Sequence, residues 1–268
     1  MADGSLHLSA SDVFNQSFVL YDRYGDEFDT TLSQLESYAR NGIITCIIYG
    51  SQIGAAVIIL VIMLILTKAE KKRLPVFMLN SAALAFNIIS NILECLYWTG
   101  PWYSPYTYLS GDYSFVSSSA KGISVSEAIF LVLTQICLET SLVLQVHIVC
   151  VTLDRAKRLT ILVVSILVAL IAMTFRLVQA SDNIKYNVVE ETYFTSQAWI
   201  VKARDITLTI SICFFSAIFC MKLGWSLRQR QQLGMKQFGP MQIILIGGTQ
   251  TLIIPGESGL VIDVASSD

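Results

Sequence analysis

Asn80, Asn87, Asn91 and Glu94 stand at spacings of 7, 4 and 3 inside an apolar stretch, which at about 100° per residue aligns all four on one stripe of a helix. An amide or carboxyl that faces hydrocarbon costs several kcal/mol, so such a stripe faces protein or a cavity. Thr134, Ser141 and Gln145 repeat the pattern in a later stretch, with Gln135 and Glu139 on an adjacent face, and Gln242 aligns with Thr249 in a third. The chemistry open to these groups is hydrogen bonding and its rearrangement. Single amides of this kind also serve as glue between helices, at about 1 kcal/mol each. A seam repeated on three helices is better explained by a polar interior that can switch.

Covalent chemistry has no centre here. The two histidines, His7 and His147, cannot supply an HExxH pair or a three-ligand zinc site, and neither a Walker A loop nor a GxSxG elbow is present. No metal or cofactor is expected, and the chain does not read as an enzyme. The six cysteines (Cys46, Cys95, Cys137, Cys150, Cys213 and Cys220) all fall within apolar runs, read as small buried hydrophobes, and give no disulfide framework. With 18 basic against 20 acidic residues, the net charge of −2 offers no field for nucleic acid.

The elements that must carry the seams follow from composition. Of 268 residues 54% are hydrophobic and only 14% charged, too much apolar side chain for one soluble core. A bilayer core about 30 Å thick takes roughly 20 apolar residues of helix. Six runs qualify, at about 43–67, 75–98, 124–152, 159–179, 198–221 and a short 240–255, which makes the expected fold an all-α polytopic transmembrane bundle. The first 42 residues hold seven acids and two basic residues with no apolar core of a signal peptide, so they read as a retained extracellular segment.

Basic residues fix the direction of insertion. Eleven Lys and Arg follow the first, third and fifth spans, among them Lys68, Arg155, Lys222, Arg228, Arg230 and Lys236; only Arg23, Arg40, Lys121 and Lys185 lie opposite. Cytoplasmic loops collect such charge, so the N-terminus is expected outside. Asn15-Gln16-Ser17 is then a glycosylation sequon on the side where the modification occurs.

Several features keep two readings. Gly50 and Gly54 form a GxxxG that lets helices approach closely, either in a dimer or within one bundle. Pro255 either kinks the last span or ends it before Gly256. Trp98, Trp102, Tyr103, Tyr106, Tyr108, Tyr113 and Phe115 suit a ligand mouth or an interfacial aromatic belt. Residues 184–188 with Tyr193 and Phe194 favour a β-hairpin lid.

Three strings carry a more specific signal: LPVFMLN from Leu74 to Asn80, ETSLVLQV from Glu139 to Val146, and LGMKQF from Leu233 to Phe238. With Gln250 and Pro255 at matching distances, Lys222 and Arg228 upstream, and the GxxxG in the first span, the chain resembles the fungal mating-pheromone receptors of the alpha-factor type over about residues 28–255. These are class D G-protein-coupled receptors with seven helices. The resemblance implies a plasma-membrane receptor for a secreted peptide pheromone that acts on a heterotrimeric G protein. It implies that Asn80, Gln145, Gln250 and Pro255 hold and release the resting bundle, and that the loop with Lys222, Arg228, Arg230 and Lys236 meets the G protein. A homodimer through Gly50 and Gly54 fits the same resemblance. Ligand contacts do not carry over, since Ser124 and Gln52 stand where the family has a tyrosine and an arginine.

After Pro255 the chain reads Gly256-Glu257-Ser258-Gly259 and no seventh span follows, so residues 256–268 read as an aberrant tail. The expectation is a receptor truncated before its seventh helix, impaired in signalling and subject to retention in the endoplasmic reticulum. The alternative class is a small multi-span transporter or channel, suggested by the polar seams and an even number of spans. The internal repeats typical of transporters are absent from the sequence.

Overall fold

The computed structural model describes residues 14–21, 25, 27–110, 112–185 and 198–232, with the side chains of 28, 152, 223 and 225–232 excepted. Its elements are a hairpin, β1 (Ser17–Tyr21) and β2 (Glu27–Thr31), then α1 (Leu32–Leu66), α2 (Pro75–Trp98), a short α3 (Pro105–Ser110), α4 (Ser118–Val149), α5 (Arg155–Ile184) and α6 (Ala198–Gln232). Five of these helices, including Trp199–Lys222 of α6, are long and apolar enough to cross a membrane. The all-α architecture expected from composition is therefore what the chain adopts, with one small sheet at its start. The expected span at 240–255 lies outside the described residues.

Four of the five long helices run longer than their apolar runs, and α2 matches its run. α1 covers 35 residues, about 52 Å at 1.5 Å per residue, against a hydrocarbon core of about 30 Å. Its first eleven residues, including Glu36 and Arg40, extend the helix beyond the apolar run that begins at residue 43. A helix keeps its backbone bonded wherever it goes, so nothing requires it to stop where the apolar residues do. The same reason carries α5 to Ile184, the first residue of the run expected to form a hairpin lid. Residue 184 is helical, and 186–197 lie outside the described residues.

Local signals set the ends. Thr31 caps α1 with a reciprocal box: its hydroxyl accepts from the Gln34 amide at 3.3 Å, and the Gln34 side chain accepts from the Thr31 amide at 3.2 Å. α2 starts on Pro75 at its first turn, where the missing N–H costs nothing. β1 and β2 pair antiparallel from Ser17 opposite Thr31 to Tyr21 opposite Glu27, and Gly25 supplies a left-handed residue (φ 87°) between them.

The chain divides into two compact units, residues 1–137 with 177–198, and 138–176 with 199–268. In the first, α1 and α2 pack antiparallel, and the segment after α2 closes over their ends. Trp102, 2% exposed, packs with Tyr113, Val116 and Ala120 as a small core, and Tyr97 lies against it. Tyr38 of α1 stacks between Tyr103 and Tyr108, with ring centroids 4.0 and 4.4 Å away, and the Tyr103 hydroxyl donates to the Tyr38 carbonyl at 2.8 Å. In the second unit the core is Val146, Cys150, Ala169, Phe215 and Ile218. The outward faces are apolar, as lipid requires: Ile47, Ile58, Ile65 and Leu66 of α1 and Leu159 and Leu167 of α5 are exposed.

Gly42 is where α1 admits the aromatic clasp, since a Cβ there would sit 2.6 Å from a Tyr103 ring carbon. Gly50 on the same helix has open space around it. Replacing Gly42 by Val gains a few tenths of a kcal/mol of helix propensity and loses about 1–3 kcal/mol to overpacking, so overpacking wins. Gly42→Val should lower the unfolding temperature of the detergent-solubilised protein, while Gly50→Val should not. Equal behaviour of the two variants would show that the Tyr103 contact carries no weight.

Candidate functional site

The polar stripe of α2 turns inward as the spacing predicts: Asn91 is buried and Asn80, Asn87 and Glu94 are half-buried. Glu94 reaches across to α1. Its Oε1 accepts from the Tyr49 hydroxyl of α1 at 3.3 Å and from the Trp98 indole N–H at 3.0 Å. One carboxyl thus ties α1 to α2 and orients the indole that leads into the aromatic clasp. Asn91 keeps a buried amide nitrogen without a partner among the described residues, as does the indole nitrogen of Trp102.

In the second unit the interior is built on Glu139 and Ser211. Both are 0% exposed, and the Ser211 hydroxyl of α6 lies 3.0 and 2.9 Å from the two carboxyl oxygens of Glu139 on α4. Glu139 is the acid that the sequence places only on a face adjacent to the seam; it proves fully buried. Its signal was available in the sequence, because a carboxyl in the middle of an apolar run has no inexpensive position except the interior. What the sequence lacks is the identity of the helix that supplies the partner.

Six residues after Glu139, Gln145 donates to the Ser141 hydroxyl at 3.2 Å, and Ser141 is itself buried. Gln145 lines a cavity of about 200 Å³ with Leu142, Val146, Phe215, Ser216 and Phe219. The site is mostly apolar with two polar side chains, a setting in which a hydrogen bond is worth more than at a wet surface. At the end of α4, His147 Nε2 and an Arg158 guanidinium nitrogen are 3.0 Å apart.

The remaining candidate residues fall as follows. Gly50 and Gly54 are both exposed, and a Cβ at either would meet nothing within 4 Å among the described residues. Asn15 is exposed in the turn before β1. Lys222 is half-buried on α6; Arg228 and Arg230 lie on the last turns of the same helix, their side chains not described. Lys236, Gln250 and Pro255 lie outside the described residues. The aromatic segment after α2 contains a packed core in Trp102 and Tyr113, while Tyr108 and Phe115 remain exposed. The cysteines differ from expectation: Cys150 alone is buried, Cys213 is exposed and the other four are half-buried. An apolar run in a membrane helix has a lipid side as well as a protein side, and the sequence does not separate them for so small a residue.

A family described as fungal pheromone mating factor STE2 GPCR matches residues 11–262. The chain belongs to this family. Among its relatives, the pheromone alpha factor receptor of Saccharomyces cerevisiae is 30% identical over 237 residues, 87% of this chain and 53% of that protein. The pheromone P-factor receptor of Schizosaccharomyces pombe is 25% identical over 254 residues, 92% of this chain and 71% of that one. The alpha factor receptor of Lachancea kluyveri is 25% identical over 236 residues. The chain spans about half the length of the alpha factor receptors it matches. The STE2 family is one of receptors rather than enzymes, and its five apolar helices make this member a multi-pass membrane protein. The transporter alternative is not favoured by these relatives.

The Ser211 hydroxyl is a donor to a fully buried acid, so its loss should cost about 1–3 kcal/mol. Ser211→Ala should lower the unfolding temperature clearly, and Glu139→Gln with Ser211→Ala should cost less than the two single changes added together. Strict additivity in such a double-mutant cycle would mean that the two side chains act independently.

Proposed function

We propose that this STE2-family chain is a plasma-membrane receptor that binds a secreted peptide mating pheromone and signals to a heterotrimeric G protein. The observation that carries the reading is the family match over 11–262, nearly the whole chain. It is supported by relatives whose names are pheromone receptors and by a buried polar interior of the kind a switch requires.

The N-terminus, with Asn15, faces outward, in keeping with eleven basic residues on one side of the membrane against four on the other. On that orientation the hairpin and the aromatic clasp stand on the outer face, where a peptide arrives. Tyr108, stacked on Tyr38, and Phe115, edge-on to Tyr106, present rigid aromatic area there. Asn80, Gln145, Gln250 and Pro255 act as the switch: a peptide that prefers one arrangement of the bundle shifts the balance only by its difference in affinity for the two. Lys222, Arg228, Arg230 and Lys236 form the basic loop that meets the G protein. The open face at Gly50 and Gly54 is the surface for a homodimer, where small residues let two backbones approach.

Membranes carrying the receptor should bind alpha-type pheromone peptides saturably, and absence of saturable binding with every such peptide would remove the reading. Endoglycosidase should shorten the expressed protein on a gel, with Asn15→Gln abolishing the shift; an unshifted wild-type band would contradict the outward N-terminus. Neutralising Arg228 and Arg230 should lower G-protein activation severalfold and leave peptide binding intact. Unchanged activation would leave those charges a role in insertion alone.

A further inference from the structure

The loop that joins α1 to α2, residues 67–74, is held by its own backbone. The Lys68 carbonyl accepts from the Lys71 and Lys72 amides at 2.9 and 3.3 Å, the Lys71 carbonyl accepts from the Leu74 amide at 3.2 Å, and Lys71–Arg73 form a single 3₁₀ turn. None of these bonds uses a side chain. Lys68, Lys71, Lys72 and Arg73 are all exposed, and none of the four has an ion pair or a side-chain hydrogen bond among the described residues. With Glu70 as the one acid between them, residues 68–73 set four positive charges against one negative. The loop between α4 and α5 differs: there Lys157 pairs with Asp154 at 3.5 Å, and Arg158 lies 3.0 Å from His147. Ile65, Leu66, Leu74 and Met78, which flank the cationic loop on both sides, are exposed apolar side chains that face lipid. So short a connection keeps its cations at the edge of the hydrocarbon, where long stems lie along apolar surface and the charged ends reach the headgroups.

We propose that the loop between α1 and α2 binds anionic phospholipids of the surrounding bilayer, several singly charged headgroups of the phosphatidylserine class at once. Cations clustered beside a membrane span attract such lipids. The 3₁₀ turn favours several small headgroups over one polyanionic one. At three residues per turn, successive side chains leave the backbone about 120° apart, so Lys71, Lys72 and Arg73 diverge and do not converge on a single cluster of phosphates. Each cation takes a headgroup of its own, Arg73 through its planar fork of donors and the lysines as point charges. The lipids held in this way anchor the loop end of the α1–α2 pair, while the Tyr49–Glu94 bond ties the same two helices farther along. The proposal needs only that α1 and α2 cross a bilayer and does not rest on the pheromone reading.

Native mass spectrometry reads the bound lipids directly. The full chain, purified in a neutral detergent, is mixed with an equal amount of its isotope-labelled Lys71→Gln/Lys72→Gln variant and supplied with phosphatidylserine or, separately, phosphatidylcholine. A cation near an anionic surface strengthens binding roughly fivefold. The wild type should therefore carry severalfold more phosphatidylserine than the variant, as a ladder of two or more lipids, and the two should carry equal phosphatidylcholine. About 0.5 M salt should erase the difference, since the loop is exposed. Lys68→Gln with Arg73→Gln should show a similar loss, so the test survives if one glutamine variant fails to fold, and Lys71→Arg with Lys72→Arg should bind as the wild type does. Equal phosphatidylserine on the wild type and both glutamine variants would overturn the proposal, as would an equal loss in Lys157→Gln. A single phosphatidylinositol bisphosphate that displaces all the phosphatidylserine would also overturn it, by showing one converging pocket. Failure of peptide binding or of G-protein activation leaves this outcome unaffected, because neither enters the measurement.

Discussion

Hydrocarbon has no hydrogen-bonding group to offer, and every polar atom that enters it must bring a partner or find one within the protein. Backbone groups meet that demand by helix formation, which is why the described residues form five long helices and why four of them outrun their apolar stretches at one end or both. Side chains have fewer options. Thr134, Ser165, Thr174 and Ser181 bond back to the carbonyl four residues earlier on their own helix, each at 2.8 Å, and are satisfied wherever they point. Carboxyls and amides are larger acceptors and donors and need another element. Glu94 and Glu139 each take a donor from a neighbouring helix, Tyr49 in one unit and Ser211 in the other. The tertiary structure of each unit is organised around an acid that has no alternative solution.

This constraint explains which parts of the structure the sequence discloses. Helix identity and approximate position are legible because a run such as Val57 to Leu66 has few stable states other than a membrane helix. The inward face of α2 is legible because three amides and a carboxyl at helical spacing all face one way, and Asn91 is buried as that spacing requires. Partner choice is not legible. Glu139 lies 72 positions from Ser211, and nothing in the local sequence of either names the other. Helix ends are also poorly marked where a helix passes from lipid to water, because hydropathy reports the solvent and hydrogen bonding reports the helix. α1 shows the gap: its cap at Thr31 is a clear signal, twelve residues before the apolar run begins.

The aromatic segment illustrates a different limit. Seven Trp, Tyr and Phe residues between Trp98 and Phe115 suit a ligand surface or a membrane belt equally well by composition. In the fold they divide. Trp102 and Tyr113 are consumed as core, Tyr103 stacks on Tyr38, and Tyr108 and Phe115 keep an exposed part. A short loop of this kind has few aliphatic residues with which to build a core, so aromatic rings supply the buried area, at about 150–250 Å² each. Tyr108 is held by stacking on Tyr38, whose other face meets Tyr103, and the fit of Tyr103 at Gly42 is part of that support.

A switch places conflicting demands on such an interior. Two arrangements of a bundle can exchange only if their free energies lie within a few kcal/mol, and leaving one buried donor or acceptor unmatched in either arrangement costs about that much. Each polar group of the seam must therefore have partners in both. Gln145 suits this demand: its amide carries two donors and an acceptor, Ser141 takes one donor at 3.2 Å, and the remaining capacity faces a cavity with Ser216 on its wall. Glu139 is different, enclosed at 0% exposure with a serine hydroxyl near both of its oxygens. The acid is suited to hold two helices in one register and the amide beside it to change partners, so fixed and movable contacts stand within two turns of a single helix.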